Sequence, residues 1–154
     1  MIETPTIVQT QAVQTAIIHL TIPRAEIRNV MGPGLKELMS TLAAQGIAPA
    51  GPWFSRHLKM EPALFDFEIS VPIARPVTAA GRVVPSQLPA VKAARTVYHG
   101  GYEGLGAAWG EFDAWIAAQG LKPEPSLWEV YLTDPQANSD PASFRTQLNR
   151  PLIG

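Results

Sequence analysis

Ala43-Ala44-Gln45-Gly46-Ile47-Ala48-Pro49 returns later in the chain as Ala117-Ala118-Gln119-Gly120-Leu121-Lys122-Pro123, at an offset of 74 residues. In both places the stretch closes a segment of helical periodicity and leads into a Trp-containing segment of strand character. Gly just past the last periodic residue, with Pro soon after, is what ends a helix: the Gly takes the left-handed cap and the Pro cannot continue the turn. A helix ending that recurs in the same context half a chain away predicts an internal duplication.

Outward from the two copies the periodicities are clear. Leu105, Trp109, Phe112 and Ile116 follow one another at spacings of four, three and four, Ala108 lies three after Leu105 and four before Phe112, and together they predict a helix over 102–119. Leu35, Leu38, Met39 and Leu42 form the corresponding stripe in the first half, with Gly32 and Pro33 placed for a helix start. Each stripe takes about half the circumference, so each helix covers something on one side only. Residues 13–20, 53–60 and 65–73 read as strands. The last alternates Phe65, Phe67 and Ile69 against Asp66, Glu68 and Ser70, until Pro72 demotes its end to an edge or a bulge. Residues 90–98, 127–132 and 144–148 repeat the order. The expected fold is α+β: duplicated β-α-β-β (strand-helix-strand-strand) units, an antiparallel sheet and two main helices packed on it. One domain spans 1–154, with halves of about 6–74 and 88–152. Residues 75–87 join the halves, and 134–143, rich in Pro, Asp, Asn and Ser, form a loop.

Composition narrows the function. Twelve Lys+Arg against 13 Asp+Glu give a net charge of -1, so no direct nucleic-acid partner driven by phosphate contacts is expected. With 46% hydrophobic and 16% charged residues the chain can bury a real core. Absence of cysteine excludes disulfides, thiolate metal sites and Cys nucleophiles. Fifteen prolines predict short elements broken by stiff turns. No run reaches the ~18 apolar residues of a membrane span, and the N-terminus lacks the basic and apolar regions of a secretory signal. A cytoplasmic location without a membrane partner is the expectation. His19, His57 and His99 show no ligand spacing, so neither a metal nor another cofactor is expected. There is no G-x-S-x-G elbow. Gly104-Leu105-Gly106 starts a dinucleotide-like pattern, but Trp109 stands where the third Gly belongs and the run lies inside the predicted helix.

Two clusters break this pattern. Leu127-Trp128-Glu129-Val130-Tyr131-Leu132 is an apolar strand interrupted by one carboxylate. Alternation puts Leu127, Glu129 and Tyr131 on one face and Trp128, Val130 and Leu132 on the other. A carboxylate between bulky apolar neighbours is costly to bury unless something pairs with it. Either its face is open to water, or a local Arg or backbone amide satisfies it, or it serves a site. The second cluster is Tyr98-His99-Gly100-Gly101-Tyr102-Glu103, whose paired glycines permit a tight strand-to-helix turn. Tyr98 and Tyr102 each offer a ring and a hydroxyl to a cleft, or else Tyr102 staples the first helical turn. Aromatics come from both halves, among them Trp53, Phe65, Trp109, Trp128 and Tyr131. Most belong to the core. Aromatics around one carboxylate would suit a lipophilic cation held by ring faces and ion pairing.

Leu88-Pro89-Ala90, Ala94, the run from Tyr98 to Leu105, Trp109, Gly120-Leu121 and Trp128-Glu129-Val130-Tyr131-Leu132-Thr133-Asp134-Pro135 resemble the GyrI-like family. Its members are effector-binding domains of multidrug-responsive and AraC-type transcription regulators, and free-standing proteins. Arg145-Thr146-Gln147-Leu148 and Pro151-Leu152 also fit, and the likeness is looser over 6–73. The resemblance implies a pseudo-twofold pair of units with a ligand cleft between the halves. It further implies that Glu129 matches the glutamate that meets cationic aromatic ligands in the drug-sensing members. Tyr98, Tyr131, Trp53, Phe65, Tyr102 and Trp109 are the accompanying candidates for a ligand pocket. The chain begins almost at the first strand, leaving no room for a helix-turn-helix, so a free-standing domain is expected.

Three functions compete. The leading one is binding of a lipophilic, cationic aromatic small molecule. The second, implied by free-standing members described as hydrolases of cyclopropane-containing compounds, is an enzyme in which Glu129 activates water with a Tyr hydroxyl, Tyr98, as partner. The third is a protein-interaction role like that of the gyrase inhibitor that names the family, to which a charge of -1 lends little. The oligomeric state is left open.

Overall fold

The structure, a computed structural model, describes residues 2–60, 63–133, 140 and 143–153. Along the chain run β1 (Thr6–Gln9), β2 (Val13–Pro23), α1 (Ile27–Ala44), β3 (Phe54–Met60), β4 (Leu64–Pro72), β5 (Val84–Leu88), β6 (Lys92–His99), α2 (Leu105–Ala118), β7 (Leu127–Tyr131) and β8 (Arg145–Pro151). A 3-10 turn leads into each helix. Every registered strand pair is antiparallel, and the fold is α+β as expected. The loop expected over 134–143 lies mostly outside the described residues.

The chain forms two compact units, residues 11–90 and residues 1–10 with 91–154. In the first, the strand order is β3-β4-β2-β5; in the second it is β7-β8-β6-β1. The two orders are the same once β3 is matched to β7, β4 to β8 and β2 to β6. Each unit therefore adds one strand to its β-α-β-β core. The division at about 74 and 88 is corrected at the ends: Thr6–Gln9 pairs with β6, and Val84–Leu88, read as part of a joining segment, pairs with β2. These strands satisfy sheet edges that would otherwise present unpaired backbone.

The repeated helix ending folds identically in both units. Gly46 and Gly120 have φ of 68° and 73°. Ile47 N–H donates to Leu42 O at 2.9 Å and Leu121 N–H to Ile116 O at 3.2 Å. Gly46 N–H reaches Ala43 O and Gly120 N–H reaches Ala117 O at 3.1 and 3.0 Å. This pair of bonds is the Schellman motif, with the apolar residue after the Gly turned back onto the last helical turn. Ala50 N–H then donates to Pro72 O, and Glu124 N–H to Pro151 O, both at 2.8 Å. The segment after each helix is thus tied to the end of its unit's last core strand.

In residues 11–90, Ala16, Ile18, Phe67, Ile69 and Val71 point to the face that α1 covers with Leu38 and Leu42. Two sequence expectations fail here. The helix begins at Ile27, and Pro33 sits inside it. An internal Pro costs about 3 kcal/mol, but Ile27, Val30 and Met31 extend the apolar stripe upstream and pack on the core. Met39 lies off that stripe and is exposed. In the other unit, α2 buries Ala108, Phe112 and Ile116 against Ala94, Tyr98, Leu148 and Leu152, with Trp109 half-buried at the margin.

Candidate functional site

Glu129 lies on β7 opposite Leu148 of β8, on the face that α2 covers. Its neighbour Trp128 turns to the other face, as strand alternation requires. Trp109, at the margin of the α2 stripe, donates its indole N–H to Glu129 Oε2 at 2.6 Å. The Tyr131 hydroxyl donates to Oε1 at 2.9 Å. Tyr131 in turn meets the edge of the Tyr102 ring, with centroids 5.9 Å apart at 86°, and Tyr102 lies 5.3 Å from the Phe144 ring. Trp109 packs on Phe112 at 5.7 Å.

The carboxylate is half-buried, and no Lys, Arg or His approaches within 4 Å among the described residues. Burial pushes its pKa above the usual carboxylate range, while the Trp109 and Tyr131 hydrogen bonds pull it back. The contrast with other acids is direct: Glu37 faces Arg82 at 2.9 Å, and Glu68 faces Arg56 at 3.8 Å. Glu129 has two neutral donors instead. Each of its oxygens retains capacity for a further donor, since a carboxylate accepts about four hydrogen bonds.

The duplication makes this group stand out. By strand register, Glu129 corresponds to Ser55 and Tyr131 to His57, because Ser55 pairs with Ile69 and His57 with Phe67 just as Glu129 pairs with Leu148 and Tyr131 with Thr146. The helix offset of 74 matches Trp109 to Leu35. The carboxylate and its indole donor therefore belong to one copy only.

The other candidates are distributed as follows. Tyr102, Tyr131 and Trp109 are brought together with Glu129. Tyr98 is elsewhere: it is buried in the core with its hydroxyl on Gly101 O at 2.9 Å. It faces α2 because β6 alternation places it with Ala94. A Cβ at Gly104 would run into its hydroxyl, so Tyr98 seats the turn that carries Tyr102. Trp53 and Phe65 belong to residues 11–90 and pack half-buried on that unit's core, Phe65 with its ring 5.1 Å from His57. From sequence Phe144 reads only as the start of a strand and Phe112 only as part of the α2 stripe. Phe144 follows a stretch rich in Pro, Asp, Asn and Ser, where no sequence periodicity marks it. Among the described residues no group of three or more His, Asp or Glu could hold a metal ion.

The sequence matches the family description "GyrI-like small molecule binding domain" over residues 3–152. The chain belongs to this family. The GyrI-like domain is similar in structure to the C-terminal domain of EcmrR, with TM-score 0.85 at 16% identity over 97% of both chains. EcmrR in a DNA complex gives TM-score 0.83 at 17% identity, and there the GyrI-like domain spans 57% of that chain. A hydrolase from Listeria innocua matches with TM-score 0.68 at 12% identity, over 97% of this chain and 91% of that one. SAV2435 bound to tetraphenylphosphonium matches with TM-score 0.63 at 10% identity, over 99% of this chain and 95% of that one. At these identities the likeness is one of fold. No curated protein matches the sequence. No helix among the described residues is long and apolar enough to cross a membrane.

Proposed function

We propose that this GyrI-like small-molecule-binding domain takes a lipophilic, cationic aromatic molecule, with Glu129 as the charge partner. The observation that carries this reading is the Glu129 carboxylate, held by Trp109 and Tyr131 and lacking a cation of its own among the described residues. A half-buried carboxylate without a counter-ion is costly, and an incoming cation would offset that cost. The rings of Tyr102, Tyr131 and Trp109 would supply faces for the cation's aromatic groups. Tetraphenylphosphonium, which SAV2435 binds, has this chemistry.

The test is titration of the protein with tetraphenylphosphonium, followed by Trp fluorescence, in wild type and Glu129→Gln. Saturable binding that weakens strongly in the Gln variant supports the reading. Equal binding by both proteins, or none by either, overturns it.

The Tyr131 hydroxyl on Glu129 Oε1 favours a second reading, hydrolysis of an electrophilic aromatic compound. Glu129 would accept a proton from water while Tyr131 protonates the leaving atom. Mass spectrometry decides between the two: a product heavier by one water that disappears in Glu129→Gln supports turnover, and an aromatic cation recovered unchanged supports binding alone.

A further inference from the structure

Arg95 stands on β6, on the face opposite Ala94 and Tyr98 and therefore turned away from α2. Strand register places it in a row across four strands, Trp128–Asn149–Arg95–Thr6. Arg95 donates Nε–H to Asn149 Oδ1 at 2.7 Å, and Asn149 donates Nδ2–H to Gln147 Oε1 at 3.1 Å. Asn149 is fully buried, so the first bond fixes the plane of the guanidinium. The two terminal Nη groups make no hydrogen bond to a described residue, and neither is sealed from solvent.

The other described half-buried arginines differ. Arg56 faces Glu68 and Arg150 faces Asp113. Among the described residues Arg95 faces no acid, and burial lowers its pKa. The fold does not require a cation there either. In residues 11–90 the matching row is Phe54–Ser70–Ile17–Val84, and Ile17 occupies the place of Arg95.

We propose that Arg95 is a binding site for a small oxyanion, a carboxylate or a phosphate, taken by the two Nη groups on the sheet face opposite Glu129. A planar guanidinium whose Nε is already fixed presents two parallel donors at the spacing of a carboxylate or phosphate edge. Little side-chain freedom is left to lose on binding. This site is independent of the reading of Glu129.

The experiment follows the Arg95 Nε–Hε signal of the whole domain by NMR during separate titrations with sodium acetate and with inorganic phosphate. Sodium chloride holds the ionic strength constant and serves as the control. A saturable shift with either oxyanion is expected, and the tighter of the two identifies a carboxylate or a phosphate source. The melting temperature should rise by about 5 °C near saturation. Arg95→Ile should fold, melt no lower in chloride and lose the oxyanion response. Arg95→Lys keeps the charge without the fork and should bind at least about tenfold more weakly. A shift that does not saturate, or that chloride reproduces, overturns the proposal, as does a rise in melting temperature that survives in Arg95→Ile. Should Arg95→Ile not fold, the wild-type titration decides alone.

Discussion

Trp109 and Glu129 meet across the interface of α2 and β7, the indole N–H donating to a carboxylate oxygen at 2.6 Å. The indole body packs at the edge of the core while its one polar atom holds the acid. This division of labour is why Trp, and not Leu as at position 35, stands beside the carboxylate.

Trp109→Phe keeps an aromatic ring and removes the donor. A hydrogen bond to a charged group contributes about 1.5–3 kcal/mol, and a loss of that order is expected in urea unfolding at pH 7. The Glu129 pKa should climb further, because one of the two bonds that lower it is gone. Carboxyl NMR titration reads this, and an unchanged titration would show that the indole does not act on the acid.

Glu129→Gln should leave folding intact or slightly stabilised at pH 7, since a carboxylate without a counter-ion among the described residues is replaced by a neutral group whose oxygen can still accept the Trp109 N–H. Binding of tetraphenylphosphonium should weaken by about 2–5 kcal/mol if the pair is desolvated. A neutral molecule of similar shape should lose far less, and isothermal titration of both separates charge from shape.

The pH dependence has two opposite signs. The folded-state pKa of Glu129 is raised, so the folded state holds its proton more tightly than the unfolded one. That contribution to stability is full below the unfolded pKa and is lost as pH rises through the folded value. Binding of a cation runs the other way, weakening as pH falls and Glu129 takes up a proton. Unfolding curves of wild type relative to Glu129→Gln, and cation titrations over the same pH range, check both slopes.

Gly104→Ala should be strongly destabilising, because the new methyl meets the Tyr98 hydroxyl. In a Tyr98→Phe background the same change should cost less, the nearest remaining ring atom being 3.1 Å away. Tyr98→Phe alone should lose about 0.5–1.5 kcal/mol with its bond to Gly101 O. A double-mutant cycle by chemical denaturation measures the coupling, and additivity would mean that the turn does not rest on Tyr98.

Gly46→Ala and Gly120→Ala should each cost about 1–2 kcal/mol, since both sites hold a left-handed backbone. Thermal unfolding of the two variants should give similar losses, because the two caps carry the same bonds.

The repeated helix ending was legible because it is local chemistry: Gly, an apolar residue and Pro at fixed offsets dictate one motif wherever they occur. The start of α1 was not, because Pro33 reads as a first-turn residue, while burial of Ile27, Val30 and Met31 outweighs its cost. Strands β1 and β5 escaped because their side chains are largely exposed and lack a buried periodicity. Glu129 was visible as a carboxylate in an apolar strand. Its partners were less so, since Trp109 sits where a core residue belongs and only the folded chain brings its nitrogen to the acid. Tyr98 misled for the converse reason: beside a glycine pair it looks like a cleft residue, but two positions of alternation from Thr96 take it under α2.

Strand β1 pairs Thr6 with Arg95, although the other strands of its unit all lie beyond residue 91. Synthesis runs from the N-terminus, so residues 11–90 emerge with every strand of their own unit present, while β1 must wait for β6 before it has any partner. For that interval a short segment containing Ile7 and Val8 is available to pair wrongly, with another nascent chain or with the free side of β5. The yield of folded protein during synthesis, and not that on refolding of the complete chain, should therefore be limited by capture of this first strand, a kinetic liability created by the way the outer strands are exchanged.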